Sequence, residues 1–177
     1  TLRKDVKSLT GTGKEDCVAI GGYEGYFSLT SDNAVNQFVS DIKSIINEYG
    51  LMIDIDLEHL QYSLKGNDKD INNPTSPKVV NMIKAIRTIC DSYGNDFILS
   101  WAPETFYSTL GYSFYGGINQ YCDARAGVYL PMINALRDKT SYVHVQLYNS
   151  SPITGLDGTS YNMGTKRRNS SNVRNAS

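Results

Sequence analysis

Cysteine is scarce: the chain has three, Cys17, Cys90 and Cys122, in 177 residues. That is too few for a disulfide framework, and an odd count leaves at least one thiol unpaired. No Cys-x-x-Cys pair occurs and only two histidines do, His59 and His144, so a zinc site with the usual ligand spacing is not expected. Excess charge is missing too. Seventeen Lys and Arg face eighteen Asp and Glu, a net charge of −1, which gives no reason to expect nucleic acid or an anionic membrane as partner. No apolar run approaches the roughly 20 residues of a membrane span. The first residues, Thr1-Leu2-Arg3-Lys4-Asp5, show neither an initiator Met nor the charged-then-apolar pattern of a signal peptide, so a processed product or excised piece is expected.

What is present suits one globular domain. Apolar residues make up 40% and charged residues 20%. A chain of this length can bury roughly 70% of its unfolded surface. Tyrosine is overused, at 13 against 5 Phe and 1 Trp; an aromatic with a polar handle serves carbohydrate and interface surfaces as well as cores. Periodicity alternates between strand and helix patterns. Helices are predicted over Leu2–Leu9, Asp32–Tyr49, Asn72–Tyr93 and Gly127–Lys139, and strands over Asp16–Gly22, Leu51–Glu58, Asn95–Ala102 and Ser141–Asn149. In the third helix, Val79, Ile83, Ile86, Cys90 and Tyr93 share one face.

Such alternation implies parallel strands with helices packed outside them. In Leu51–Glu58 one parity is Ile53, Ile55 and Leu57 and the other Asp54, Asp56 and Glu58. In Ser141–Asn149 one is Val143, Val145 and Leu147 and the other His144, Gln146 and Tyr148. Strands inside an open doubly wound sheet are apolar on both faces. These are apolar on one, as in a barrel with helices outside and a lumen within. The predicted fold is therefore α/β, a partial (β/α)8 TIM barrel, since a full barrel needs eight strands and about 250 residues. Residues 1–160 are expected to form this incomplete barrel. Residues 161–177 form a basic tail predicted to be disordered: from Met163 on, Lys166, Arg167, Arg168 and Arg174 occur with no acid. Three glycosylation sequons begin at Asn149, Asn169 and Asn175.

Asp54-Ile55-Asp56-Leu57-Glu58 is the most informative segment. Period-2 geometry puts its three carboxylates on one face, with neighbours about 6–7 Å apart. Like charges that close cannot all ionise freely, so at least one pKa should rise and a shared proton is expected. A carboxyl kept protonated near neutral pH is what cleavage of a glycosidic bond needs, to protonate the leaving oxygen.

At this point the chain resembles a known family, the chitinases of glycoside hydrolase family 18, which are (β/α)8 barrels. Leu51 to Glu58 is similar to the family's fourth-strand Asp-Gly-x-Asp-x-Asp-x-Glu. Ala19-Ile20-Gly21-Gly22 resembles the Ser-x-Gly-Gly of the third strand, Trp101-Ala102-Pro103-Glu104-Thr105 the end of the fifth, and Gln146-Leu147-Tyr148-Asn149 the sixth-strand Gln-x-Tyr-Asn. The resemblance runs to about Gly158 and covers strands three to six. Leu51 and Met52 replace the signature's first Asp and Gly, and Ala19 replaces a Ser that in the family bonds the Asp matched by Asp54.

The resemblance implies hydrolysis of β-1,4-linked N-acetylglucosamine by a substrate-assisted retaining mechanism, without cofactor or metal. Glu58 would be the general acid. Asp56 would orient the substrate's acetamido N–H and share a proton with Asp54, and Tyr148 would bond the acetamido oxygen. Gln146, Asn149, Glu104, Gly21 and Gly22 would line the substrate site; Trp101 and Tyr107 would either stack on sugar faces there or pack in the core, the commoner role of such rings. The implied partner is chitin or its oligosaccharides, in an extracellular setting, with neither nucleic acid nor membrane involved. Half a barrel exposes strand edges, which a second copy of the chain could cover. The competing reading is a chitin-binding protein or inactive fragment without turnover.

Overall fold

The computed structural model describes residues 2–58, 62–66, 68–109, 125–148, 153–154 and 159–162. His59, Cys122, Asn149 and the basic tail beyond Asn162 lie outside them. The order of elements is α1 (Leu2–Thr10), β1 (Cys17–Gly21), α2 (Asp32–Tyr49), β2 (Met52–Asp56), α3 (Pro77–Tyr93), β3 (Leu99–Trp101), α4 (Thr105–Thr109), α5 (Tyr129–Ala135), β4 (Thr140–Val143), β5 (Ile153–Thr154) and β6 (Ser160–Tyr161). Strands β1 to β4 form one sheet in chain order, every neighbouring pair parallel. Strands β5 and β6 form a separate antiparallel pair, which carries regular pairing as far as Tyr161.

Local chemistry sets the helix ends. The Ser31 hydroxyl accepts from the Ala34 N–H at 3.2 Å and caps α2. Gly50, at φ 72°, closes it by donating to Ile46 O. The third helix starts five residues later than the periodicity predicts, at Pro77. Asp70 accepts from the Asn72 N–H and Asn73 Nδ2 and holds a turn, Pro74 disfavours helix in the residue before it, and Pro77 fits a first turn. In α5 the predicted start at Gly127 is not helical, because φ there is 70°.

The core lies between the sheet and its helices. Ile53, Ile55 and Leu57 of β2 and its extension are buried, and they pack with Leu99, with Val35 and Ile46 of α2, and with Met82, Ile86 and Ile89 of α3. The buried stripe of α3 runs Val79, Met82, Ala85, Ile86, Ile89 and Cys90, and Ile83 sits at its margin. Burial pushes the Cys90 thiol up to about 11, so it stays a neutral packing group.

The expected division of faces holds on β2 and fails on β4. Val143, Val145 and Leu147, predicted to meet a helix, are exposed, Leu147 to 78%. Regular pairing in β4 stops at Val143, and an isolated bridge between Glu104 and Gln146 carries the parallel alignment on. The His144 N–H donates to Trp101 O and the Gln146 N–H to Pro103 O, each at 2.8 Å.

Candidate active site

Strand β2 delivers its carboxylates as period 2 requires. Asp54, Asp56 and Glu58 are half-buried on one face, opposite the buried Ile53, Ile55 and Leu57. Cross-strand register fixes what surrounds them. Asp54 lies between Ala19 of β1 and Ser100 of β3, and Asp56 lies beside Gly21.

Gly21 shows why the third-strand motif needs glycine. Its φ is 118°, and a Cβ there would stand 2.0 Å from Asp56 O. The next N–H, of Gly22, donates to that same carbonyl at 2.6 Å. Both glycines were expected to line the substrate site. Here they bring β1 tight against the end of β2 and fix the backbone that carries Asp56.

Gln146 crosses from the segment after β4. Its Nε2 donates to Asp56 Oδ1 at 2.8 Å and to Ala102 O at 2.9 Å, with Glu58 Oε1 at 3.4 Å. The residue is only 9% exposed. Its amide nitrogen therefore serves the carboxylate pair, which differs from the expected role of direct substrate contact. Tyr148, two residues on, is 64% exposed. Glu104 is half-buried and pairs by backbone with Gln146.

Electrostatics single out Asp56. Burial, the charges of Glu58 and Asp54 and a hydrogen bond with Glu58 push its carboxyl up to about 6, against a smaller opposing effect of His144. Asp56 thus keeps its proton to a higher pH than an ordinary aspartate does.

Of the two roles open to Trp101 and Tyr107, sugar stacking and core packing, both rings take the second. Trp101 is 0% and Tyr107 3% exposed. The Trp101 ring meets Tyr129 edge-on at 6.0 Å, its Nε1 donates to Thr140 Oγ1, and Tyr107 stacks on Tyr129 at 6.1 Å. These rings are core, since neither offers an open face.

Tyr129 itself was not anticipated. From α5 its hydroxyl accepts from the Leu57 N–H at 2.5 Å and lies 3.1 Å from Leu57 O and 3.3 Å from Ile55 O. Leu57 sits between Asp56 and Glu58, just past the last ladder residue of β2. The phenol supplies the partners that the ladder no longer does. Burial raises its pKa well above the ordinary tyrosine value, so it remains a neutral donor and acceptor.

A carboxylate with a raised pKa beside a second carboxylate is a pair that acid–base chemistry at a glycosidic bond can use. The relatives agree. No family model matches the chain. Exochitinase 1 of Streptomyces olivaceoviridis is 47% identical over 161 residues, which is 90% of this chain and 27% of that protein. Chitinase Chi52 of Paenibacillus xylanexedens is 42% identical over 165 residues, 93% of this chain and 30% of that protein. The crystal structure of a family GH18 chitinase from Chromobacterium violaceum superposes with a TM-score of 0.67 at 30% identity, over 85% of this chain and 36% of its own. Over about nine tenths of its length the chain is thus similar to part of a chitinase, and in fold to part of a chitinase of family GH18. It spans less than a third of the length of these two curated relatives.

Proposed function

We propose that the chain carries the acid–base machinery of a chitinase that hydrolyses β-1,4-linked N-acetylglucosamine, and that β1 to β4 are strands three to six of a (β/α)8 barrel. On this reading residues 1–160 are the incomplete catalytic domain and residues 161–177 a tail, and the protein works outside the cell, where chitin is found. No helix among the described residues is long and apolar enough to cross a membrane.

In the proposed reaction Glu58 gives its proton to the glycosidic oxygen as the bond from that oxygen to the anomeric carbon breaks. The substrate's own acetamido carbonyl oxygen attacks the anomeric carbon on the opposite side, forming an oxazolinium ring. Asp56 aligns the acetamido N–H and balances the developing positive charge, and Tyr148 bonds the acetamido oxygen. Water then adds to the anomeric carbon and returns its proton to Glu58, with retention overall. Preorganising one amide between fixed groups turns a weak nucleophile into an effective one.

The observation that carries this reading is the Asp56–Glu58 pair. Asp56, pushed up to about 6 and hydrogen-bonded to Glu58, keeps a proton where the acid needs it. The test is release of fluorophore from a fluorogenic chitobiose derivative by the purified chain beside its Glu58→Gln variant. Release by the wild type alone supports the mechanism. Equal release by both removes Glu58 from it. Retention on chitin by both chains without any release favours a binding protein.

A further inference from the structure

At the end of β2 away from the carboxylates, the last turns of α2 and α3 meet around a pocket of about 370 Å³. Ile46 and Asn47 of α2, Met52 at the start of β2, Tyr93 of α3, and Asp96 and Phe97 ahead of β3 line it. Its size lies in the range of small-molecule sites. Met52 and Glu58 stand at opposite ends of β2 and its extension, roughly 20 Å apart along the chain. We propose that this pocket binds a small organic cation, an ammonium group carried on an apolar body. The site is separate from the carboxylate row, and the inference does not depend on catalysis there.

The walls point to the sign of the charge. Two helices turn their carbonyl ends toward the pocket, and the end of a helix dipole favours a cation there. Neither last turn carries a basic residue, and that of α2 carries Glu48. Asp96, exposed at the rim, adds an acidic side chain, and no Lys, Arg or His lines the pocket. Two bases on the flanking helices and loops are engaged with other groups. Lys43 Nζ donates to Ser92 Oγ at 3.1 Å, and Lys139 pairs with Asp91 at 2.7 Å. The remaining walls suit an apolar body. Ile46 and Phe97 are buried, and the Tyr93 and Phe97 rings stack at 5.0 Å. Aromatic rings attract a cation while covering the carbon attached to it. The Tyr93 hydroxyl donates to Asn47 Oδ1 at 2.9 Å and so ties the two helix ends together beside the pocket. An anion would meet repulsion from Asp96 and both helix ends, and a neutral apolar guest would gain nothing from them.

The probe is benzyltrimethylammonium, titrated into the full chain carrying 13C-labelled methionine methyl groups. Met52 lines the pocket, whereas Met82 and Met132 are fully buried in the core and serve as internal references. We expect a saturable shift of the Met52 methyl signal with the other two unmoved. Benzyl alcohol, which has the ring without the charge, should bind roughly tenfold more weakly. Added salt should weaken the cation and spare the alcohol. Asp96→Asn should weaken the cation about two- to fivefold, the scale of an exposed charge pair, and leave the alcohol unchanged. Asn47→Lys places the chain's own ammonium at the end of α2 and should abolish the shift. Asn47 and Asp96 are both exposed, so these variants should fold, which thermal melting checks.

Absence of a saturable Met52 shift with the cation overturns the proposal. So does equal affinity for the cation and the alcohol, a shift shared by Met82 and Met132, or a cation affinity that neither Asp96→Asn nor Asn47→Lys alters. Hydrolysis is not a readout, so failure of the hydrolase reading and failure of this site are told apart.

Discussion

Gln146 Nε2 sits 2.8 Å from Asp56 Oδ1 and 2.9 Å from Ala102 O, so one amide ties the carboxylate to the end of the neighbouring strand. Replacing it tests whether the tie matters for chemistry. Gln146→Leu keeps the volume and removes the donor. A hydrogen bond to a charged group contributes about 1.5–3 kcal/mol, so kcat should fall roughly ten- to a hundredfold. Gln146→Glu also removes the donor and adds a charge beside Asp56 and Glu58. It should lose more stability between pH 5 and pH 7 than the Leu variant, which carries only the loss due to Asp56 itself. Parallel behaviour of the two in a pH series of melting curves would discard the charge argument.

Asp56 makes a second prediction, about stability and pH. Its folded-state carboxyl is raised from an ordinary 3.8 to about 6. The folded chain therefore binds this proton more tightly than the unfolded chain does. A raised pKa contributes stability at low pH that is lost as pH rises through about 4 to 6. Asp56→Asn carries no such loss. It should melt above the wild type at pH 7.5, and the gap should close by pH 3.5, even though turnover is abolished. A gap of the same size at both values would show that the proton has nothing to do with it.

Trp101 and Tyr107 separate packing from binding. Both rings are buried in a cluster with Tyr129. Trp101→Phe should lower stability by about 1–3 kcal/mol through lost volume and the lost bond to Thr140. Tyr107→Phe should leave retention on chitin unchanged. Weakened retention by a stably folded Tyr107→Phe would return this ring to the sugar site.

The parts of this molecule legible in the sequence are those fixed by local periodicity. The acidic face of β2 follows from alternation within five residues, and the ends of α2 follow from Ser31 and Gly50. Alternation on β4 was equally clear, yet it names a face without saying whether a neighbour covers it. Val143, Val145 and Leu147 are therefore apolar and exposed. Partners 46 to 90 residues apart, such as Ser100 with Asp54 and Gln146 with Asp56, leave no local trace. Gln146 could be recognised as a polar residue at a strand end, but whether it serves substrate or carboxylate depends on the curvature of the sheet. Tyr129 carried one faint signal, a hydroxyl amid the apolar residues Val128, Leu130 and Met132.

That hydroxyl supplies the last prediction. The Leu57 N–H has left the β2 ladder and finds its partner in Tyr129 Oη at 2.5 Å, inside the core. Tyr129→Phe keeps the ring against Trp101 and Tyr107 and strands the N–H without an acceptor. A buried donor left unpaired costs about 1–3 kcal/mol, and a chain with that choice will turn the peptide to find another. Because Leu57 separates Asp56 from Glu58, turning it changes the angle between the two carboxyl groups. Tyr129→Phe should therefore lower both the melting temperature and kcat, and the Leu57 amide should lose its protection in hydrogen exchange. Tyr107→Phe, which leaves the Leu57 bond intact, should leave that amide protected. If Leu57 exchanges equally slowly in wild type and Tyr129→Phe, the phenol is packing material and the carboxylate pair owes its geometry to Gly21 and Gln146 instead.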